Sequence, residues 1–126
     1  CQMYSRSCHS VDFCNRKIVI LISKYLVPKG YKGMTFFPFM FLKFDRLKAD
    51  SVLINHEKIH LRQQLELLVL PFYVLYVMEF LVKLIIYKRW DLAYRNISFE
   101  REAYKHESNI EYLLNRPFWS FLKYLR

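Results

Sequence analysis

The segment Asn55-His56-Glu57-Lys58-Ile59-His60-Leu61-Arg62-Gln63-Gln64 determines how the rest of this chain is interpreted. It contains two histidines four positions apart, with a glutamate directly after the first. On an α-helix, residues four apart lie on one face, one turn from each other. His56 and His60 can therefore bind one Zn²⁺, and Glu57 can hold a water beside the metal. The pattern predicts a zinc site on a helix, and such a site requires a third protein ligand.

A helix is predicted around this motif. Asp50 and Ser51 have the side chains of a helix start, and apolar residues follow at broadly helical spacing from Val52. We expect the helix to run to Leu70, because Pro71 cannot continue it without a kink. The two histidines therefore lie on a helix in this prediction.

Pro71 is predicted to open a second, apolar helix that extends to about Tyr87. From Phe72 to Tyr87 this helix is roughly 24 Å long, shorter than the ~30 Å hydrocarbon core of a bilayer. A single transmembrane span is therefore disfavoured. We expect a helix hairpin at Pro71, which returns the chain alongside His56 and His60. The apolar faces of the second helix contact either the protein core or lipid.

The part of the chain before the motif is expected to contribute little helix. Residues 1–17 contain all three cysteines and predict a disordered tail outside a single domain over residues 18–126. The apolar segment 18–27 lacks the cleavage site of a signal peptide and predicts a short buried helix. Residues 33–43 are rich in aromatic side chains and contain Pro38, which together predict a short edge strand or hairpin. Such an edge either packs under the helices or pairs with an extended peptide.

Composition limits the classes to which the protein can belong. The chain has 126 residues, 54% of them hydrophobic and 18% aromatic, with two glycines and four prolines. These values predict one compact, mainly α-helical domain. The net charge of +9 favours an anionic partner. Because there is no basic stripe or nucleic-acid module, we expect an anionic membrane surface and no nucleic acid. The predicted location is cytoplasmic or peripheral to a membrane, and the sequence leaves the oligomeric state open.

The third ligand is expected from a helix predicted over residues 98–115. Glu100 and Glu102 are two positions apart, so only one of them can face the metal on a helix. We favour Glu100, because the small side chain of Ala103, three residues later, allows close packing against the motif helix. Glu102 is the alternative ligand and is otherwise expected in solvent near His106. The acidic and histidine candidates in this segment are Glu100, Glu102, His106 and Glu107.

The order His56-Glu57-x-x-His60 followed by Glu100-x-x-Ala103 resembles the gluzincin metallopeptidases. Their pattern is H-E-x-x-H, followed by a helix that carries E-x-x-A-D or E-x-x-x-D. The residues Arg62-Gln63-Gln64-x-Glu66 are most similar to BlaR/MecR-type antirepressor peptidases and related small proteins. The resemblance covers about residues 52–106 and implies a helical, zincin-like domain.

The resemblance also implies zinc-dependent hydrolysis of a peptide or protein substrate. Zinc would be bound by His56, His60 and Glu100. It would lower the pKa of a water toward ~7 and polarise the scissile carbonyl. Glu57 would act as the general base, which accepts the proton of that water and passes it to the leaving amine.

Two positions depart from the family pattern. Lys58 is charged where uncharged residues are usual. Tyr104 stands where the family has an aspartate that supports a ligand histidine. A donor is also needed for the negative charge that develops on the substrate oxygen. The sequence leaves open which residue serves, and the chemically capable candidates are Tyr94, Arg95, Tyr104 and His106.

A second function is compatible with the same sequence. The chain would then be a small, non-catalytic, membrane-associated interaction protein in which the H-E-x-x-H motif is accidental or decayed. Bound metal separates the two hypotheses, because only the peptidase requires stoichiometric zinc.

Overall fold

The computed structural model describes residues 18–125, which form five α-helices and one three-stranded sheet. The predicted mainly α class is therefore confirmed, whereas the predicted tail over residues 1–17 lies outside the described residues. The strands are β1 (Val19–Ile22), β2 (Gly33–Phe36) and β3 (Phe39–Leu42). The helices are α1 (Ser51–Leu67), α2 (Val69–Tyr87), α3 (Trp90–Arg95), α4 (Ser98–His106) and α5 (Tyr112–Asn115), with short 3-10 helices at Asp45–Ala49 and Ser120–Tyr124.

Helix α1 carries the histidine motif and begins as predicted. The Asp50 carboxylate accepts a hydrogen bond of 3.1 Å from the backbone N–H of Leu53, which satisfies a free donor of the first turn. The helix ends before Leu68, which adopts a positive φ of 66°. Pro71 lies in the first turn of α2, where its missing N–H removes no helical hydrogen bond. The chain therefore turns at Leu68, three residues before the predicted position at Pro71.

Helix α2 is longer than predicted and is exposed along much of its surface. It starts at Val69 and not at Phe72, so its 19 residues rise about 28 Å. Among residues 18–125 it is the single helix that is long and apolar enough to cross a membrane, and only 6% of its apolar window is buried. Its length therefore no longer argues against a span. Its exposed apolar side chains are Leu70, Val74, Leu75, Val77, Met78, Leu81, Val82, Ile85 and Ile86.

The sheet has the order β1-β3-β2, with β1 parallel and β2 antiparallel to the central strand β3. The predicted hairpin over residues 33–43 is confirmed as β2 and β3, with Pro38 in the turn between them. The short buried helix predicted for residues 18–27 is wrong. Its apolar run forms the exposed strand β1, because the backbone of β3 offers a pairing edge and β-branched side chains suit a strand.

A side-chain amide closes the outer edge of the hairpin. Gln64 of α1 accepts a hydrogen bond of 2.7 Å from the backbone N–H of Phe37 and donates one of 3.1 Å to the carbonyl oxygen of Thr35. The Tyr73 hydroxyl donates to the same carbonyl. Because these groups already occupy the edge at Thr35 and Phe37, packing against the helices is favoured over pairing with a peptide there.

Helix α4 packs against α1, and α1 also packs against β2. The close approach uses Ala103, which is fully buried as expected. The helix predicted to continue to residue 115 ends at His106, and α5 forms separately. One apolar cluster under these helices comprises Phe72, Ile97, Phe99 and Phe121, and another comprises Met40, Leu42 and Leu61.

Candidate metal centre

His56 and His60 of α1 and Glu100 of α4 converge at one buried point. The Nε2 atoms of the two histidines are 3.1 Å apart. Glu100 Oε1 lies 3.2 Å from His60 Nε2, and Glu100 Oε2 lies 3.3 Å from His56 Nε2. The structure therefore brings together the three residues predicted as ligands, and it places them where solvent reaches at most 6% of each residue's surface.

The spacing of these donor atoms fits a single metal ion. Ligand atoms at ~2.0–2.1 Å from a tetrahedral Zn²⁺ lie about 3.3 Å apart. The two Nε2 atoms, and the Glu100 oxygen nearest to each of them, have similar separations, and one ligand atom from each residue lies within 4.8 Å of the others. Glu100 Oε2 is buried and has no hydrogen-bond partner among the described residues. A buried carboxylate oxygen without a partner is unfavourable, and a cation held between the three side chains would satisfy it. Two histidines and one glutamate are also a donor set of catalytic zinc sites.

The second ring nitrogen of each histidine has its own acceptor. His56 Nδ1 lies 2.8 Å from Glu107 Oε2, and His60 Nδ1 lies 2.9 Å from Gln63 Oε1. The Gln63 amide nitrogen donates to Glu102 and to a backbone carbonyl of α4, so its oxygen must face His60. Each histidine therefore donates from Nδ1, and Nε2 is the atom that faces the other ligands and would bind a metal in its deprotonated form.

Glu107, and not residue 104, places a carboxylate beside a histidine of the motif. The Tyr104 ring packs edge-on against His56, with 4.7 Å between ring centroids, and the Arg95 guanidinium lies 4.9 Å from the Tyr104 centroid. Sequence reasoning missed this role of Glu107. The available signal was its position seven residues, or about two helical turns, after Glu100, which keeps it near the same face.

Glu102 is not in the His56–His60–Glu100 group and is linked to His60 through Gln63. It is fully buried, and its carboxylate binds the Arg116 guanidinium and accepts a hydrogen bond of 2.9 Å from the Tyr112 hydroxyl. Arg116 also pairs with Glu66 of α1. The expectation that Glu102 is solvated near His106 is therefore wrong, because Arg116 compensates its charge in the interior. The His106 ring stacks on Tyr112 at a centroid distance of 3.7 Å.

A cavity of about 390 Å³ adjoins the cluster, and Glu57 lines it together with His60 and Glu100. Burial raises the pKa of Glu57 above its usual range, while the neighbouring histidines lower it by less. A raised pKa makes this carboxylate a stronger proton acceptor. At Gly33 of β2, a Cβ atom would lie 3.2 Å from Glu57 Oε1, so the lack of a side chain leaves room for this carboxylate.

The histidines and glutamates of the cluster shift each other's pKa values. Burial lowers the pKa of His60, but Glu100 and Glu57 outweigh that effect and raise it to about 9. Burial raises the pKa of Glu100, but the two histidines outweigh that effect and hold it well below its usual range. The interior therefore favours positive charge between these carboxylates, which is the charge that a metal cation supplies.

Comparison with known proteins assigns no family to this chain. No protein-family model, curated protein or solved structure matches the chain. The resemblance to gluzincins therefore rests on the motif residues themselves and stays a prediction.

The four candidate donors for a substrate oxygen lie at different places. Tyr94 lines the cavity, and its pKa is raised by burial and by Glu100, so its hydroxyl keeps its proton. Tyr104 lies beside His56, and the Arg95 guanidinium lies over the Tyr104 ring. His106 Nε2 lies 2.8 Å from the Tyr124 hydroxyl. Sequence reasoning also missed Tyr76, whose hydroxyl donates a hydrogen bond of 2.6 Å to Glu100 Oε1.

Proposed function

We propose that this chain is a zinc-dependent peptidase in which His56, His60 and Glu100 bind zinc and Glu57 is the general base. The main support is the convergence of three buried donor groups, one of which, Glu100, has an oxygen (Oε2) without a hydrogen-bond partner among the described residues. Zinc is favoured over Mg²⁺ or Ca²⁺, because imidazole nitrogen suits zinc whereas the other two ions prefer oxygen ligands.

The residues around the cluster have distinct roles in this proposal. When bound, zinc supplies a Lewis acid that polarises a substrate carbonyl and increases the acidity of a water. Glu57 accepts the proton of the attacking water and transfers it to the leaving amine. Tyr94 donates a hydrogen bond to the oxygen on which negative charge develops. Gln63 and Glu107 keep the two histidines in the orientation that binding requires.

The zinc content of the purified chain tests the metal centre. We expect one zinc per wild-type chain, and loss of the metal in His60→Ala and in Glu100→Gln. Glu111→Gln is the matched control, because Glu111 is exposed and distant in sequence from the ligands. A wild-type protein that binds no zinc after incubation with zinc and buffer exchange would contradict the proposal.

We also propose that the outer face of α2 lies against an anionic membrane surface. Its apolar side chains are exposed, and the helix is followed by the exposed residues Lys88, Arg89 and Trp90. Basic and tryptophan side chains at the end of an apolar helix are typical of the membrane–water interface. The Glu79 carboxylate on the inner side accepts hydrogen bonds of 2.7 Å from the backbone N–H and the hydroxyl of Ser98. This contact supports an arrangement in which one side of α2 packs against the rest of the domain.

The exposed face of α2 equally supports the second candidate, a non-catalytic membrane-associated interaction protein. Membrane contact does not separate the two candidates, because both predict it. Hydrolysis does separate them: the peptidase should cleave peptides only with zinc bound and with Glu57 intact, while the interaction protein should cleave none.

A further inference from the structure

The cavity beside the metal ligands joins two kinds of surface. One part of its wall is formed by Glu57, His60 and Glu100. Much of the remaining wall consists of apolar and aromatic side chains, and among them are Met34, Phe72, Val77, Phe80 and Trp90. Val77 and Trp90 are half-exposed or more, so this part of the wall is reached from solvent, whereas Phe72 is buried. A molecule in the cavity therefore contacts the reacting centre and an apolar wall together.

Most polar atoms in the apolar part of the wall form hydrogen bonds to other groups of the protein. The Tyr73 hydroxyl donates to the Thr35 carbonyl, and the Tyr76 hydroxyl donates to Glu100. Gln64 binds Phe37 and Thr35 with both ends of its amide. These residues consequently present ring faces and methylene groups to the cavity. Water there finds few partners, which favours its replacement by an apolar group.

The charges of the wall exclude other ligand classes. Apart from Glu57, His60 and Glu100, no described residue that lines the cavity carries a charged side chain. Against the apolar part of the wall, a charged side chain of a substrate would lose its hydration, because the carboxylates that line the cavity, Glu57 and Glu100, lie at the reacting centre. The volume of about 390 Å³ is near the lower end of the ~300–1,000 Å³ range of ligand pockets.

We propose that this cavity is the specificity pocket of the enzyme and takes a bulky apolar side chain, aromatic or branched aliphatic. That side chain belongs to the peptide residue adjacent to the hydrolysed bond, because the pocket begins at Glu57 and His60. The inference rests on the proposed peptidase function and adds the substrate class to it.

Amino-acid hydroxamates test the pocket, because they share one zinc-binding group and differ in the side chain. The affinities of glycine, aspartate, leucine and phenylalanine hydroxamates for the zinc-loaded full chain are measured by calorimetry, after the zinc content has been determined. We expect leucine and phenylalanine hydroxamates to bind roughly 10-fold to 100-fold more tightly than glycine or aspartate hydroxamate, since each buried methylene alone contributes about 10-fold or more.

Two substitutions on the wall locate the pocket. Val77→Trp fills the wall of the cavity and should abolish the preference for apolar side chains, while glycine hydroxamate still binds. Val74→Trp is the matched control, because Val74 is exposed on the same helix and does not line the cavity. Trp90→Ala removes part of the wall and provides an independent variant, in which phenylalanine hydroxamate should lose more affinity than glycine hydroxamate.

The failures of the two proposals are distinguishable. Zinc-loaded protein that binds all four hydroxamates equally overturns the pocket and leaves the metal centre intact. A preference that survives unchanged in Val77→Trp and in Trp90→Ala overturns the pocket's location. Wild-type protein without zinc overturns the metal centre and, with it, the pocket that depends on it.

Discussion

His60 Nδ1 lies 2.9 Å from Gln63 Oε1, so the residue three positions further along α1 orients the second histidine of the motif. The opposite end of the Gln63 amide is held by Glu102 and by the backbone of α4. The amide cannot rotate without losing these bonds. The orientation of His60 is therefore coupled to the packing of α1 against α4, and the metal centre depends on both helices.

Replacement of Gln63 should weaken zinc binding without removing a ligand. In Gln63→Met the apolar volume is roughly kept, but His60 loses its acceptor, and we expect zinc affinity to fall roughly 10-fold to 100-fold. Competition with a chromogenic chelator measures this change. Gln64→Met is the matched control: it opens the hairpin edge and should lower thermal stability while zinc affinity stays near that of wild type. Equal zinc affinities in the two variants would contradict the role of Gln63.

Glu107 should support zinc binding through His56. Glu107→Gln removes the negative charge beside Nδ1, and we expect zinc affinity to fall about 10-fold or more. Tyr104→Phe keeps the ring that packs against His56 and should leave zinc affinity nearly unchanged. Zinc titrations of both variants, in the same buffer, check the difference. A larger loss in Tyr104→Phe than in Glu107→Gln would show that the tyrosine hydroxyl, and not Glu107, supports the ligand.

Loss of Glu57 should separate metal binding from hydrolysis. Glu57→Gln keeps the size of the side chain and removes the proton acceptor, so zinc should remain stoichiometric. Turnover should fall roughly 10²-fold to 10⁴-fold, the usual contribution of a general base. A mixed peptide library, analysed by mass spectrometry before and after incubation, measures cleavage across many peptide sequences at once. Wild-type turnover in this variant would reject Glu57 as the base.

Arg116 should be a major determinant of stability, because it is the cation between two buried carboxylates. Arg116→Met leaves Glu66 and Glu102 in the interior without their partner. We expect unfolding free energy to fall by about 3–5 kcal/mol, which urea denaturation of the zinc-free protein measures. Arg89→Met, at an exposed position, should change it by no more than about 0.5 kcal/mol. Similar stabilities of the two variants would show that Arg116 has no special role.

The outer face of α2 should control membrane binding. Ile85→Glu puts a charge on the exposed apolar face and should strongly reduce flotation with vesicles that contain phosphatidylserine. Ile110→Glu makes the same change at an exposed residue outside α2 and should leave flotation intact. Binding should also fall as salt concentration rises, because the attraction of basic residues to anionic lipid is screened. Equal flotation of both variants would argue against α2 as the contact surface.

The errors in the predicted fold have local physical causes. The run Val19–Ile22 is apolar throughout, and a short run of this kind does not distinguish a strand from a buried helix by periodicity. Its pairing with β3, about twenty residues later in the chain, makes it a strand. The turn predicted at Pro71 lies three residues earlier, because a proline is tolerated in the first turn of a helix and the positive φ of Leu68 ends α1.

Sequence alone determined the geometry of the motif: His56 and His60 share a face of one helix, because an i,i+4 spacing leaves no other arrangement on a helix. It also favoured Glu100, with Glu102 as the alternative, for the third ligand, since residues two apart on a helix point to different sides. Only the tertiary structure shows which of the two lies beside the histidines. Which glutamate faces the histidines depends on the rotation of α4 about its axis. That rotation is fixed by two contacts: Arg116 binds Glu102, and the Tyr76 hydroxyl binds Glu100. Those partners lie 14 residues after Glu102 and 24 residues before Glu100, so no local pattern contains them.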